Sequence, residues 1–106
     1  MGKATVDYVV IGGVDYEAVA QGQTNQILGT AGASGDLLSR LVVNVATSLT
    51  SAVSIKDGGN TAVEVIPVNT PIGPYTIEVG IRSANGAWQV TTGAGVSCIA
   101  VGQFSV

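Results

Sequence analysis

The 106-residue sequence has no histidine, a single cysteine and only 10% charged residues. Histidine is the commonest general base and the commonest metal ligand, so its absence argues against a hydrolase or a transition-metal enzyme. One cysteine cannot form an internal disulfide or a cysteine metal cluster, and the apolar neighbours of Cys98 predict a buried thiol. We therefore expect no catalytic residues, no metal site, no cofactor and no enzymatic activity.

Basic residues are equally scarce. The four of them, Lys3, Arg40, Lys56 and Arg82, are scattered singly, whereas nucleic-acid binding depends on clusters of Lys and Arg. No apolar run approaches the ~20 residues of a membrane span, and no apolar secretory h-region follows Lys3. We expect neither nucleic acid nor a membrane as a partner, and a chain that begins at or next to Met1.

Apolar residues, by contrast, are abundant. They make up 46% of the chain, and the mean hydropathy is +0.47, a composition that excludes intrinsic disorder. A domain of this size buries only somewhat over ~60% of the surface that its unfolded chain exposes. Part of the apolar excess is therefore expected to face a partner, which favours self-assembly or docking.

The periodicity of the apolar residues is that of β-strands. Between Tyr75 and Arg82 apolar and other residues alternate strictly, the period of two that a half-buried strand requires. Residues 40–47 alternate similarly, although Val42 interrupts the polar side. Shorter runs of the same kind occupy 53–56 and 63–65, and no segment has helical spacing.

Turn residues separate these runs. Asp57-Gly58-Gly59-Asn60 predicts a hairpin that pairs residues 51–56 with 61–66, and Asn85-Gly86 predicts a second hairpin between Ile81 and Trp88. A longer connection, which cannot sit in a central strand, is predicted at Pro67, Pro71, Gly73 and Pro74.

The resulting fold prediction is all-β: a small antiparallel β-sandwich of about seven or eight strands, jelly-roll or immunoglobulin-like. The sandwich is assigned to residues 16–106. Residues 1–15 fit the pattern less well and are predicted to be an N-terminal arm or an edge strand.

Several residues are candidates for a functional role. Asp57 with Asn60, or Asp15 with Glu17, offers oxygens for calcium, but no loop has the dense carboxylates of known sites. Trp88 is in phase with Val90, which favours a core position over a ligand platform. The best interface candidates are Tyr8, Val10 and Tyr16, near the poorly patterned N-terminus, where a tyrosine suits a partner surface.

Some segments resemble a group of small tailed-bacteriophage virion proteins. They include residues 18–30, Gly35-Asp36-Leu37-Leu38 with the Val-rich strand that follows, and Val53-Ser54-Ile55-Lys56-Asp57-Gly58. The similarity continues at residues 84–96 and ends at Ile99-Ala100-Val101-Gly102. It spans roughly residues 18 to 104, and none of its motifs is catalytic.

The resemblance implies a capsid cement or decoration protein, a β-sandwich that binds the outside of an assembled phage head and stabilises it. Its expected partner is the major capsid protein of the same virus, and the expected form is a homotrimer made in the bacterial cytoplasm and located on the virion. The alternative is a carbohydrate- or receptor-binding module of a phage tail or fibre.

Overall fold

The computed structural model describes residues 15–48 and 51–105. They form eight strands and no helix. The strands are β1 (Asp15–Val19), β2 (Gln26–Ile27), β3 (Leu37–Val45), β4 (Val53–Asp57), β5 (Val63–Ile66), β6 (Gly73–Arg82), β7 (Trp88–Thr91) and β8 (Val96–Gln103). The all-β prediction is confirmed.

The strands make two antiparallel sheets of four. The first sheet has the order β1-β8-β3-β6 and the second the order β2-β7-β4-β5. Only β4 and β5 are consecutive strands within one sheet, so every other connection passes from one sheet to the other. Eight strands wound in this way form a jelly roll rather than the seven-strand immunoglobulin arrangement.

Alternation along the strands builds the core between the sheets. In β3, Leu41, Val43 and Val45 are fully buried, and in β8 Cys98 and Ala100 face the same interior. The second sheet contributes a set of buried side chains that includes Val53, Ile55, Ile66, Trp88 and Val90. Both the core position of Trp88 and the buried Cys98 are confirmed.

The first predicted hairpin is confirmed and the second is wrong. β4 pairs with β5, and the Asn60 N–H donates to the Asp57 carbonyl across 2.9 Å. At Asn85-Gly86, however, the chain leaves β6 in one sheet and enters β7 in the other. The turn chemistry reverses the chain there, but the partners of both strands come from distant parts of the sequence.

The proline-rich connection is shorter than predicted. Pro67 and Pro71 lie between strands, whereas Gly73 and Pro74 belong to β6, where Pro74 stands opposite Asn44. A proline is tolerated there because β6 is an edge strand, with one side of its backbone not needed for the sheet. The prediction that these residues avoid a central strand therefore holds, although their assignment to the connection does not.

Strand β1 begins at Asp15, the last residue of the predicted arm or edge strand. Among the described strands, β1 is the first of its sheet, and it pairs along its length with β8. Among the residues assigned to the arm, positions 1–14 lie outside the described part of the chain.

Candidate functional site: an exposed apolar face

The outward face of the first sheet carries apolar side chains where polar ones are expected. Successive side chains of a strand point to opposite faces of the sheet. Because Val19, Cys98 and Val43 are buried in the core, the residues next to them along each strand point outward. We use the name outer apolar patch for the outward residues Tyr16, Ala18, Val42, Ile99 and Val101.

Strand register brings these residues together. Ala18 lies opposite Ile99, which lies opposite Val42, and in the adjacent row Tyr16 lies opposite Val101. Side chains directly opposite one another on a sheet are in contact distance. Three neighbouring strands of one sheet, β1, β8 and β3, therefore present a continuous apolar surface rather than scattered hydrophobic residues.

The patch is open to solvent. Tyr16 is 73% exposed, and Val42 and Ile99 are exposed to 38% and 42%. With Asp15, four of the patch residues line a shallow depression of about 470 Å³. An exposed, contiguous apolar surface of this kind is typical of an interaction site.

The border of the patch is polar and carries both signs of charge. Arg40 on β3 lies opposite Val101 on β8, and Glu78 on β6 lies opposite Arg40. Asp15 lies at the other edge, beside Tyr16. An apolar centre with a charged rim is typical of a protein-binding surface. Burial of the centre contributes binding free energy, and the charges of the rim orient the partner.

Of the three predicted interface residues, the structure places one on this patch. Tyr16 is an exposed member of the patch, while Tyr8 and Val10 lie outside the described residues. The prediction missed Val42 and Ile99. The sequence did contain a signal for Val42, since it interrupts the polar side of its strand.

The carboxylates weighed for calcium are used as hydrogen-bond acceptors within the fold. Asp57 accepts from the backbone N–H groups of Ala84 and Asn85 at 3.0–3.1 Å. Glu17 accepts from the Gly29 N–H and the Gln26 side-chain amide, both at 3.0 Å. Across residues 15–48 and 51–105, no group of three or more acidic, cysteine or histidine side chains is placed to hold a metal ion.

The buried carboxylate of Asp36 was not anticipated from the sequence. Asp36 accepts from both the backbone N–H and the hydroxyl of Ser105, at 2.8 and 2.7 Å. Its own carbonyl accepts from the Ser83 N–H and from the Trp88 indole N–H. Through these bonds Asp36 holds Ser105, the last described residue, and the loop at Ser83 against the core. Its role is structural.

Cys98 is enclosed by the core and is 4% exposed. Burial removes water from the thiol, which disfavours the thiolate and raises its pKa from 9.0 to about 11. A thiol with so high a pKa is a poor nucleophile at neutral pH.

No protein-family model, curated protein or solved structure matches the chain. The part of the chain that the structure describes contains no helix long and apolar enough to cross a membrane.

Proposed function

We propose that the chain is a capsid cement protein of a tailed bacteriophage, which binds the outer surface of the assembled head through the outer apolar patch. The observation that carries this proposal is the patch itself: an apolar centre on a rigid sheet, bordered by Asp15, Arg40 and Glu78. The segments that resemble phage virion proteins supply the identity of the partner, the major capsid protein.

The physical chemistry of a shell favours such a protein. A ligand that binds only the assembled state stabilises that state by mass action, and a symmetric lattice repeats each contact many times. Modest affinity at each site is therefore enough. A patch on strands that are hydrogen-bonded to one another loses little conformational entropy when it docks.

The alternative, a carbohydrate- or receptor-binding module, cannot use Trp88 as its aromatic platform. Trp88 is 5% exposed and packs in the core, so it is not offered to a sugar. Tyr16 remains exposed and is the platform that this alternative requires. Jelly rolls occur in both capsid proteins and lectins, so the fold itself does not separate the two functions.

The test is co-sedimentation with heads of the virus that encodes the chain, assembled without it. We expect binding near one copy per coat subunit or per local three-fold position, with a higher temperature of shell disruption. Ile99→Lys places a charge at the centre of the patch and is expected to weaken binding at least tenfold. The matched control, Ile27→Lys, alters an exposed isoleucine of the second sheet and is expected to bind normally.

The proposal is overturned if the folded wild-type protein binds no shell. It is also overturned if Ile27→Lys and Ile99→Lys weaken binding equally, because the patch would then have no special role. A glycan array provides the complementary result: a specific sugar whose binding is lost in Tyr16→Ala would replace the cement function with the carbohydrate-binding one.

A further inference from the structure

Asn85 and Gly86 lie in the loop through which the chain passes from β6 to β7. Of the five asparagines in the chain, only Asn85 is followed by glycine. Glycine has no side chain, so its backbone nitrogen approaches the side-chain carbonyl carbon of a preceding asparagine without hindrance. Local chemistry therefore favours spontaneous deamidation at this asparagine above the other four.

The structure leaves the reacting groups of this pair without hydrogen-bond partners. The Asn85 side chain is exposed, and within residues 15–48 and 51–105 neither its amide nor the Gly86 N–H takes part in a hydrogen bond. The backbone of Asn85 is held in place, because its own N–H donates to the Asp57 carboxylate at 3.0 Å. The side-chain amide can therefore change rotamer and turn towards the glycine nitrogen without breaking a hydrogen bond.

The facing loop contains the related pair Asp57-Gly58, which the structure holds out of the same reaction. The Asp57 carboxylate accepts from two backbone N–H groups of the opposite loop at 3.0–3.1 Å. The Gly58 N–H donates to the Ala87 carbonyl at 3.1 Å. Both reacting groups are thus engaged, and a carboxylate would also have to lose an oxygen, which leaves far less readily than ammonia. Of the two glycine pairs in these packed loops, only the asparagine pair is free to close a ring.

We propose that Asn85 is a site of spontaneous deamidation in the folded protein. The Gly86 nitrogen bonds to the side-chain carbonyl carbon of Asn85, the bond from that carbon to the amide nitrogen breaks, and the Gly86 proton leaves with the amide as ammonia. Water then opens the resulting five-membered succinimide at either of its carbonyl carbons, which gives aspartate or isoaspartate. The reaction consumes only water, and the inference does not depend on the proposed function.

Either product disturbs the contact between the two loops. Both add a negative charge to the residue whose N–H binds the Asp57 carboxylate, and like charges repel. Isoaspartate also adds a carbon to the main chain, where Asn85 and Gly86 pack so closely against Gly58 that a Cβ on Gly58 has no room. Deamidation is therefore expected to lower the melting temperature of the protein.

Incubation of the folded wild-type chain at mildly alkaline pH, followed by peptide mapping with electron-transfer fragmentation, tests the inference. We expect Asn85 to deamidate at least tenfold faster than Asn60, which is exposed in the facing loop but is followed by threonine. The mapped peptide is expected to contain both aspartate and isoaspartate. Asn85→Gln is the matched control, because it keeps the amide but would have to close a six-membered ring, and it is expected to deamidate at least tenfold more slowly.

The structural consequence is measured on the same sample. Anion-exchange chromatography separates the deamidated chains, which carry one more negative charge, and they are expected to melt at a lower temperature than the unmodified chain. Asn85→Asp supplies the charge without the additional main-chain carbon. It is expected to melt between the unmodified chain and the isoaspartate form.

The inference is overturned if Asn85 in the folded chain deamidates no faster than Asn60. Burial of Gly86 would then keep its nitrogen from reacting, and a rate that rises only in urea would lead to the same conclusion. Deamidated chains that melt together with the unmodified chain would overturn the link between the modification and the packing of the two loops.

Discussion

The thiol of Cys98 is the titratable group that the fold perturbs most clearly. Its pKa is about 11 in the folded protein and 9.0 when it is free of burial. Between these values the unfolded chain releases the proton and the folded chain keeps it. The free energy of unfolding is therefore expected to fall as pH rises above 9, by at most about 1.4 kcal/mol per pH unit.

Urea unfolding of the wild type and of Cys98→Ala between pH 8 and 11 measures this effect. The variant loses core packing at every pH but has no thiol to titrate, so the difference between the two proteins is expected to shrink as pH rises. A difference that stays constant across this range contradicts the prediction. Below pH 9 the thiol is protonated in both states and contributes no pH dependence.

Asp57 is important for a different reason, because its carboxylate holds two backbone N–H groups of the loop before β7. Asp57→Ala leaves both donors without this acceptor, and we expect a loss of about 1–3 kcal/mol in unfolding free energy. Asp57→Asn keeps one oxygen acceptor and is expected to lose less. Chemical denaturation checks the order, and equal losses would contradict the prediction, because the single amide oxygen of the asparagine variant would then replace none of the carboxylate's hydrogen bonds.

At the scale of elements, the loop between β4 and β5 packs backbone to backbone against the loop between β6 and β7. The Gly58 N–H donates to the Ala87 carbonyl, and a Cβ at Gly58 would clash with the Asn85 carbonyl oxygen. Gly58 also has a φ of +55°, which costs about 1–2 kcal/mol for other residues. Gly58→Ala is therefore expected to destabilise the protein by at least that amount.

The neighbouring glycine provides the control for this prediction. A Cβ at Gly59 meets nothing within 4 Å, so Gly59→Ala is expected to change the free energy of unfolding by less than about 0.5 kcal/mol. Thermal unfolding of the two variants measures the contrast. Similar melting temperatures would mean that the two loops move apart at little cost.

The same elements show what the sequence could predict. Period-two alternation located most of the strands, because burial of one face acts on each strand separately. Pairing is a different matter: Asp57–Asn60 and Asn85–Gly86 have similar turn chemistry, yet only the first joins neighbouring strands. Whether a turn closes a hairpin or crosses between sheets depends on contacts with distant residues such as Gly58, which no local pattern records.

The candidate site was predictable only in part, for a related reason. Tyr16 was identified from its residue type, but Val42 and Ile99 join it through strand register. The exposure of two further residues was not predictable at all. Val63 and Ile81 have the alternation of core residues, and they are exposed only because β5 and β6 lie at the edges of their sheets.

For the whole molecule, the outer apolar patch occupies one sheet of the sandwich, on β1, β8 and β3. Copies linked as the homotrimer that the resemblance implies would present several such patches to a lattice, and linked copies bind a lattice more tightly than a single copy does.

If the chain forms the homotrimer that the resemblance implies, its thermal stability depends on protein concentration. A folded oligomer that dissociates as it unfolds gains stability by mass action, about 0.7 kcal/mol per chain for each tenfold rise in the concentration of a dimer and more for a trimer. For a chain of this size that corresponds to roughly 3 °C or more in melting temperature. Scanning calorimetry of the wild type over a hundredfold concentration range is expected to show this rise. A monomer that unfolds reversibly has no concentration term, so a melting temperature that does not change with concentration would contradict the homotrimer.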